Sequence, residues 1–387
     1  MRSDPHARRP FEVPVRPARL PQVLHELGEE FARDLDDALA ARSAPEQEVA
    51  YWHTLYEQGR TRRAPHHPWA EAADLTSHIG TEKVDALRAR MVKTVLGVEP
   101  VWTVEGYGEA ERRAPFVEEF HQWQLEAEGF QSAFARAIHL SLIEPRGVLE
   151  VYEEVIQRPV RKTIRAALQL AADGSALMHE DATPVLQIDE TTGHFVEVTD
   201  EETASAEVVI DSQEAIAHGP RHRTIAYRDF VVLPGHARDR SEIWGYAKRF
   251  YRRLDELSER VRAGVYDAAA VAALPTSDEH ASATTLAGEA LGVTAKSTDR
   301  AELELWEFLI LKDLGDGLRW YVATLHQTTR RLLRLQYDDI GQPRYFPLVP
   351  FPRPNSTEGY SFIGHKLITV IEEHTAWRNM DADRTAL

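Results

Sequence analysis

Pro350-Phe-Pro-Arg-Pro-Asn-Ser-Thr-Glu-Gly-Tyr-Ser-Phe-Ile-Gly364, followed by His365 to Leu387, decides how the rest of the chain is read. A Pro-rich extended strip gives way, through Asn355-Ser356, to a long helical pattern with no Gly or Pro stop before the last residue. Helices of self-contained domains usually end on such signals. The expectation is a chain built to be continued, by more sequence or by neighbours.

Working back from that strip, the text is β-like. Leu303 to Lys312 and Arg319 to His326 read as strands, and Asp313-Leu-Gly-Asp-Gly317 joins them as a hairpin. A third strand, Arg331 to Tyr337, is followed by a turn at Asp338-Asp339-Ile-Gly341. The Ala/Ser/Thr-rich stretch 276–300 reads as a linker or mobile loop. Before it, Ser241 to Ala263 reads as a helix, with Ile243, Tyr246, Phe250, Leu254, Leu257 and Val261 on one side.

Residues 155–235 are β-like and loop-rich, led by the alternating Gly147-Val-Leu-Glu-Val-Tyr152, with a solvated acidic loop at 199–207. The first 143 residues are mostly helical. Leu24, Leu27, Phe31, Leu35 and Leu39 form an amphipathic stripe that Ser43 and Pro45 should break, and Gly59 is a plausible stop. After a loop at 60–79, Thr81 can cap a helix with Val84, Leu87, Met91, Val95 and Leu96 on its buried face and Gly97 behind it. A further helical region spans 114–143 and carries Phe116, Phe120, Trp123, Phe130, Phe134, Ile138 and Leu142.

Composition narrows the class. At 387 residues, two or three domains are the natural expectation. No apolar run is long enough to span a membrane. Residues 1–20, rich in Arg and Pro, lack a signal-peptide core and read as a disordered or partner-bound arm. The absence of cysteine removes disulfides, thiol catalysis and Cys-based zinc sites, and agrees with a reducing compartment. The net charge of −17 argues against tight wrapping of DNA, which needs clustered Lys and Arg.

No catalytic motif emerges. Neither a phosphate loop nor a nucleophile elbow is present, and Gly106-x-Gly108 lacks a third glycine. Adjacent His66 and His67 point to opposite sides of an extended loop, and His365 and His374 are out of phase on a helix. Asp313, Asp316, Asp338 and Asp339 have the blander role of turn formers, and Asp381 and Asp383 do not face each other on a helix. Trp69, Trp102, Trp123, Trp306 and Trp320 sit in apolar patterns that fit core or subunit interface better than base stacking. No cofactor and no metal site is expected.

The order of segments resembles the portal proteins, or head–tail connectors, of tailed bacteriophages. The resemblance is carried by Pro68-Trp69-Ala-Glu-Ala-Ala-Asp74, Lys83 to Arg90, Gly129-Phe130 through Tyr152, His218-Gly-Pro220 with Tyr227-Arg-Asp-Phe230, Trp306-Glu307 with Lys312-Asp313, and Pro347 to Asp381. These strips cover about 45–387; the family's tunnel loop and crown are not in this sequence. The resemblance implies an α+β fold in which an arm (1–20) precedes a helical and β wing (21–235). A first stem helix and linker (236–299), a small β-rich clip (300–350) and a second, antiparallel stem helix (351–387) complete it.

It further implies a non-enzymatic ring, of twelve subunits in this family, at one capsid vertex of the virion, assembled in the host bacterial cytoplasm. Double-stranded DNA passes through such a ring, terminase and then adaptor and tail proteins dock on it, and the major capsid protein surrounds it. On this expectation Lys366, Glu372 and Glu373 line the channel, and Arg330, Arg331 and Arg334 form a docking patch on the clip. Competing expectations are an adaptor-type connector and a metal-dependent hydrolase.

Overall fold

The stripe from Leu24 to Leu39 does form a helix, and that helix outruns its own break signals. In a computed structural model of the protein, α1 spans Leu20–Glu57 without interruption at Ser43 or at Pro45. Proline inside a helix removes one backbone bond and crowds the carbonyl four residues back, at a cost of about 3 kcal/mol. Tertiary ties on both sides of Pro45 offset this. Arg42 donates to the carbonyls of Tyr227 (2.7 Å), Phe230 (2.8 Å) and Arg228 (2.9 Å). Glu46 receives Arg228 at 2.7 Å, while Val49 and Trp52 sink into a second core.

The structure describes residues 20–57, 72–73, 75, 77–98, 100–170, 176–178, 185–187, 196, 204–275, 302–315, 317–338 and 344–386. The expectations for residues 1–19, the loop histidines His66 and His67, Trp69, the linker 276–300, Asp316 and Asp339 lie outside them. The fold is α+β with antiparallel sheets. It divides into two compact units, one of them Glu153–Arg221 and the other formed by the chain on either side of it, up to Tyr152 and from His222.

The larger unit is organised on a five-stranded sheet, β3 (Phe230–Leu233), β4 (Gly245–Arg253), β5 (Glu302–Asp313), β6 (Leu318–His326) and β7 (Arg331–Tyr337), in that spatial order. The last three match the strands expected from the sequence. The expected first stem helix at 241–263 does not form. Its first half is β4, and only α5 (Leu254–Arg262) is helical, followed by the short α6 (Ala268–Ala272). Tyr246 and Phe250 satisfy both a four-residue helical repeat and a two-residue alternation, so periodicity alone could not choose. Pairing chooses: β4 is flanked on both sides, in register from Gly245↔Ile310 to Arg253↔Glu302 against β5.

Both sheet faces are covered. Leu27, Phe31 and Leu35 of α1 pack on Trp306, Phe308, Tyr321 and Leu335, with Phe31 stacked on Phe308 at 5.5 Å. On the opposite face, Leu257, Tyr266 and Val271 cover Leu303, Leu305 and Leu333. A second patch there joins Phe230 and Tyr246 to Tyr345. Tyr345 belongs to β8 (Tyr345–Leu348), which pairs with the first residues of β1 (Gly147–Ala167), from Gly147↔Leu348 to Glu150↔Tyr345. The strands 302–337 thus share one sheet with 230–253 and one core with α1, rather than forming a separate clip.

The helical side of this unit packs α2 (Ile79–Leu96), α4 (Phe130–Ile143) and the C-terminal helix around Val84, Ile138, Leu142, Ile363 and Ile371. Thr81 lies inside α2 rather than capping it, and its hydroxyl donates to the Tyr56 carbonyl at 2.7 Å. The region 114–143 is two helices. Gly129, at φ +67°, separates α4 from α3 (Ala114–Ala127) because the left-handed backbone there suits a residue without a Cβ. The C-terminal helix opens with a π turn, Ile363–Leu367, and continues as α7 (Ile368–Ala386). Gly364 in that turn lies against Trp52. A Cβ there would meet the indole at 2.1 Å, so Gly364→Ala is expected to cost about 3 kcal/mol through overpacking, read as a lower urea midpoint. No described helix is long and apolar enough to cross a membrane.

The smaller unit, Glu153–Arg221, is β-rich as expected. It contains the outer parts of β1 and β2 (Ser205–Ile225), with single bridges Leu168↔Leu186 and Leu170↔Ala176. Gln169 donates its backbone N–H to Val185 at 2.9 Å, and Gln187 donates to Ala167 at 2.8 Å.

Candidate functional site

The residues expected to line a channel do not share one environment. Lys366 is exposed in the π turn, with its ammonium 5.2 Å from the Tyr360 ring. Glu373 is exposed on α7, seven residues on and so about two turns along the same side. Glu372 is engaged elsewhere, accepting the Tyr51 hydroxyl of α1 at 3.0 Å. The other side of α7 is tied down. Asn379 accepts the Leu75 N–H at 2.6 Å, Asp383 accepts the Ala73 N–H at 2.6 Å, and His374 meets the Ser77 hydroxyl at 2.7 Å. Lys366 and Glu373 therefore share the free side with Val370, Trp377 and Met380, which are 44%, 77% and 71% exposed.

The three arginines expected to dock a partner are also separated. Arg330 occupies the β6–β7 turn at φ +53° and is clamped to α1, donating to Glu29 at 2.9 Å and to Asp36 at 3.3 Å. It fastens helix to sheet. Arg331 is exposed at the start of β7. Arg334 lies three residues on, and its guanidinium donates to the Gln336 side-chain oxygen at 3.1 and 2.8 Å.

What Arg334 joins is a polar row across the sheet. In register, Lys248 of β4 pairs with Glu307 of β5, Glu307 with Thr324 of β6, and Thr324 with Arg334 of β7. Apolar patches flank the row on the same face. Buried Lys248 donates to Glu150 at 2.7 Å and to Glu307 at 2.9 Å, and Arg223 donates to Glu150 at 2.5 Å. Arg252, Arg260 and Tyr266 close the row into a cleft of about 150 Å³.

Burial pushes the Glu307 carboxyl up, but Lys248, Arg334 and Arg344 outweigh it and hold the pKa at about 2. A depressed carboxylate contributes stability that is complete above its ordinary value of 4.5 and is lost as pH falls through about 2. Glu307→Gln is therefore expected to cost about 3 kcal/mol at pH 7, with the gap to wild type closing between pH 4.5 and 2 in urea titrations.

A second cleft, of about 250 Å³, lies where α1 meets the turn before β3. Arg42 and Arg146 flank the buried Tyr227 ring at 5.2 and 5.4 Å. The Tyr227 hydroxyl donates to Glu358 at 2.7 Å, and Glu144 accepts the Tyr227 N–H at 2.9 Å and meets buried His53 at 3.0 Å. Burial, then the neighbouring Glu358, pushes the Tyr227 hydroxyl pKa up, so it remains a neutral donor. These contacts join α1, α4, the Tyr227–Asp229 turn and the Pro-rich strip, which is a fastening role.

His365, Asp313 and Asp338 have ordinary partners. His365 packs against Trp52 and Tyr360 at 4.9 and 5.3 Å and accepts the Ser361 N–H, and burial pushes its pKa down. Asp313 accepts the N–H groups of Gly315 and Gly317, the turn role expected of it, while Asp338 is buried against Arg344. Among the described residues no three His, Asp or Glu side chains are placed to hold a metal ion.

The aromatic residues of α3 face water. Phe116, Phe120 and Trp123 recur at helical spacing, yet they are 73%, 53% and 61% exposed, and only Ala114 and Leu125 of this helix are buried. Tyr107 and Trp102, just before it, are 88% and 41% exposed. Trp306, by contrast, is core. The three α3 rings present roughly 400 Å² of surface, about half of one partner's share in a standard specific interface. No protein-family model matches the chain, and no curated protein matches it.

Proposed function

We propose that the chain is a structural subunit of a head-to-tail ring of the portal type, with no catalytic role of its own. The observation that carries the proposal is the uncovered aromatic face of α3. An amphipathic stripe left facing water in one chain fits cover by a neighbour, since large exposed apolar patches mark interaction surfaces. A cyclic head-to-tail ring needs two different surfaces per subunit. The α3 face supplies one of them, and the free side of α7 is kept for the channel wall.

The segment order given above supports the portal type over other rings. In this proposal the ring sits at a capsid vertex, double-stranded DNA passes through it, and terminase, then adaptor and tail proteins, engage it. Because 241–263 is not one helix, the channel wall is assigned to α7 alone, through Lys366 and Glu373 but not Glu372. The acidic net charge agrees with a passage that must not grip DNA, since each phosphate contact adds affinity. Negative-stain microscopy with light scattering on the purified protein tests this. Closed rings with a central hole are expected, and monomers under every condition, including in particles, would overturn it.

A further inference from the structure

Asp and Glu outnumber Lys and Arg 62 to 45 in this chain, yet residues 1–19 run the other way, with five arginines against two carboxylates. The sequence there ends on Pro14-Val-Arg-Pro17-Ala-Arg19, a Pro-x-x-Pro spacing with arginine inside and after it. Proline presets the polyproline II backbone, so such a strip loses little entropy on a partner, and aromatic surfaces are what it docks on.

The α3 face offers the complement. Phe116, Phe120 and Trp123 are four and three residues apart and share one side, with exposed Glu119 and Glu126 along its edge. The segment before α3 lies against it, since the Val104 N–H donates to Glu118 at 2.9 Å. From Trp102 to Glu128 the sequence has seven carboxylates and two arginines. About half of one partner's share of a standard interface is small for two packed domains but suits an extended strip.

The strip does not reach α3 of its own copy. α1 rises about 57 Å over its 38 residues. Near its C-terminal end His53 meets Glu144 and Tyr56 meets His139, so α4 continues past that end toward Phe130 and α3. Arg19 adjoins the opposite end of α1, and residues 8–19 span only about 37 Å when fully extended.

We infer that residues 8–19 of one copy dock on the α3 face of another, with the prolines on the rings and Arg16 and Arg19 against the carboxylates along the edge. The inference rests on the ring reading in taking α3 as a surface between copies, and it supplies the second, different surface that head-to-tail assembly needs.

Because the chain has no cysteine, single cysteines report the contact. Full chain carrying Val15→Cys is mixed with full chain carrying Ala127→Cys, an exposed position on the aromatic side of α3, and oxidised. A mixed disulfide-linked dimer is expected on non-reducing gels, and none when the second chain carries Glu259→Cys, exposed on α5. Arg16→Glu with Arg19→Glu, added to the Val15→Cys chain, is expected to cut the yield at least about tenfold, since like charges then oppose the contact. A missing cross-link, a yield that the charge reversal leaves unchanged, or Ala127→Cys chains linking to each other equally well overturns the inference. Closed rings in microscopy without the cross-link leave the ring reading standing, whereas the cross-link in samples without closed rings supports the docking and removes the ring.

Discussion

Phe120→Asp combined with Trp123→Asp is expected to leave the protein folded but unable to form the rings proposed for the wild type. Both rings are more than half exposed in the single chain, and they touch each other at 5.8 Å. Substituting them removes little internal packing, so monomer stability should move by no more than about 0.5 kcal/mol, the usual range for surface sites. In an interface the same rings would act as aromatic anchors, each worth about 2 kcal/mol or more when removed. Together with two desolvated carboxylates, the loss corresponds to roughly a thousandfold weaker association. Sedimentation velocity separates the species. Rings that persist in the double variant at wild-type concentrations would remove α3 from the assembly surface.

Arg42→Ala is expected to be the most destabilising single change outside the core, at about 3–5 kcal/mol. The Arg42 guanidinium is 6% exposed and holds three carbonyls of the segment Tyr227–Phe230 at 2.7–2.9 Å. Its removal leaves those carbonyls without their charged donor and leaves Glu46, 3.4 Å away, with Arg228 as its cationic partner. It also takes away the tie just before Pro45, where α1 carries its own defect. Arg42→Lys keeps the charge but not the planar fork, so it should recover only part of the loss. Denaturant unfolding gives the ordering wild type, Lys, Ala. Equal midpoints for wild type and Ala would show that the junction contributes nothing.

Much of the fold was legible locally. The strands at 302–337 and the turn at Asp313 follow from alternation and turn chemistry, which act between near neighbours. The C-terminal helix was legible for the same reason. The misreadings share a cause. Tyr246 and Phe250 fit two periods at once, and only strand partners on either side of 245–253 resolve them. Pro45 breaks a helix in isolation but not one anchored by Arg42, Glu46 and Trp52.

The polar row had a visible trace. Glu307 interrupts Leu303, Leu305 and Leu309 on one face of β5, as Lys248 does between Tyr246 and Phe250 of β4. Its partners come from distant segments, so the row itself could not be read. The surroundings of the arginines were hidden for the same reason: Arg330 and Arg334 are four residues apart, yet one is clamped to α1 and the other lines the cleft on the second sheet face.

By itself the sequence determined where apolar stripes, turns and strand-like runs lie, because these depend on side chains a few residues apart. It also determined the acidic balance and the lack of thiol chemistry. Tertiary structure decided which stripe is buried and which faces water. Phe31 and Phe116 sit in similar helical patterns, but the first meets Phe308 across a sheet and the second meets no comparable surface. Burial belongs to the partner a stripe finds, and that partner is far away in the chain.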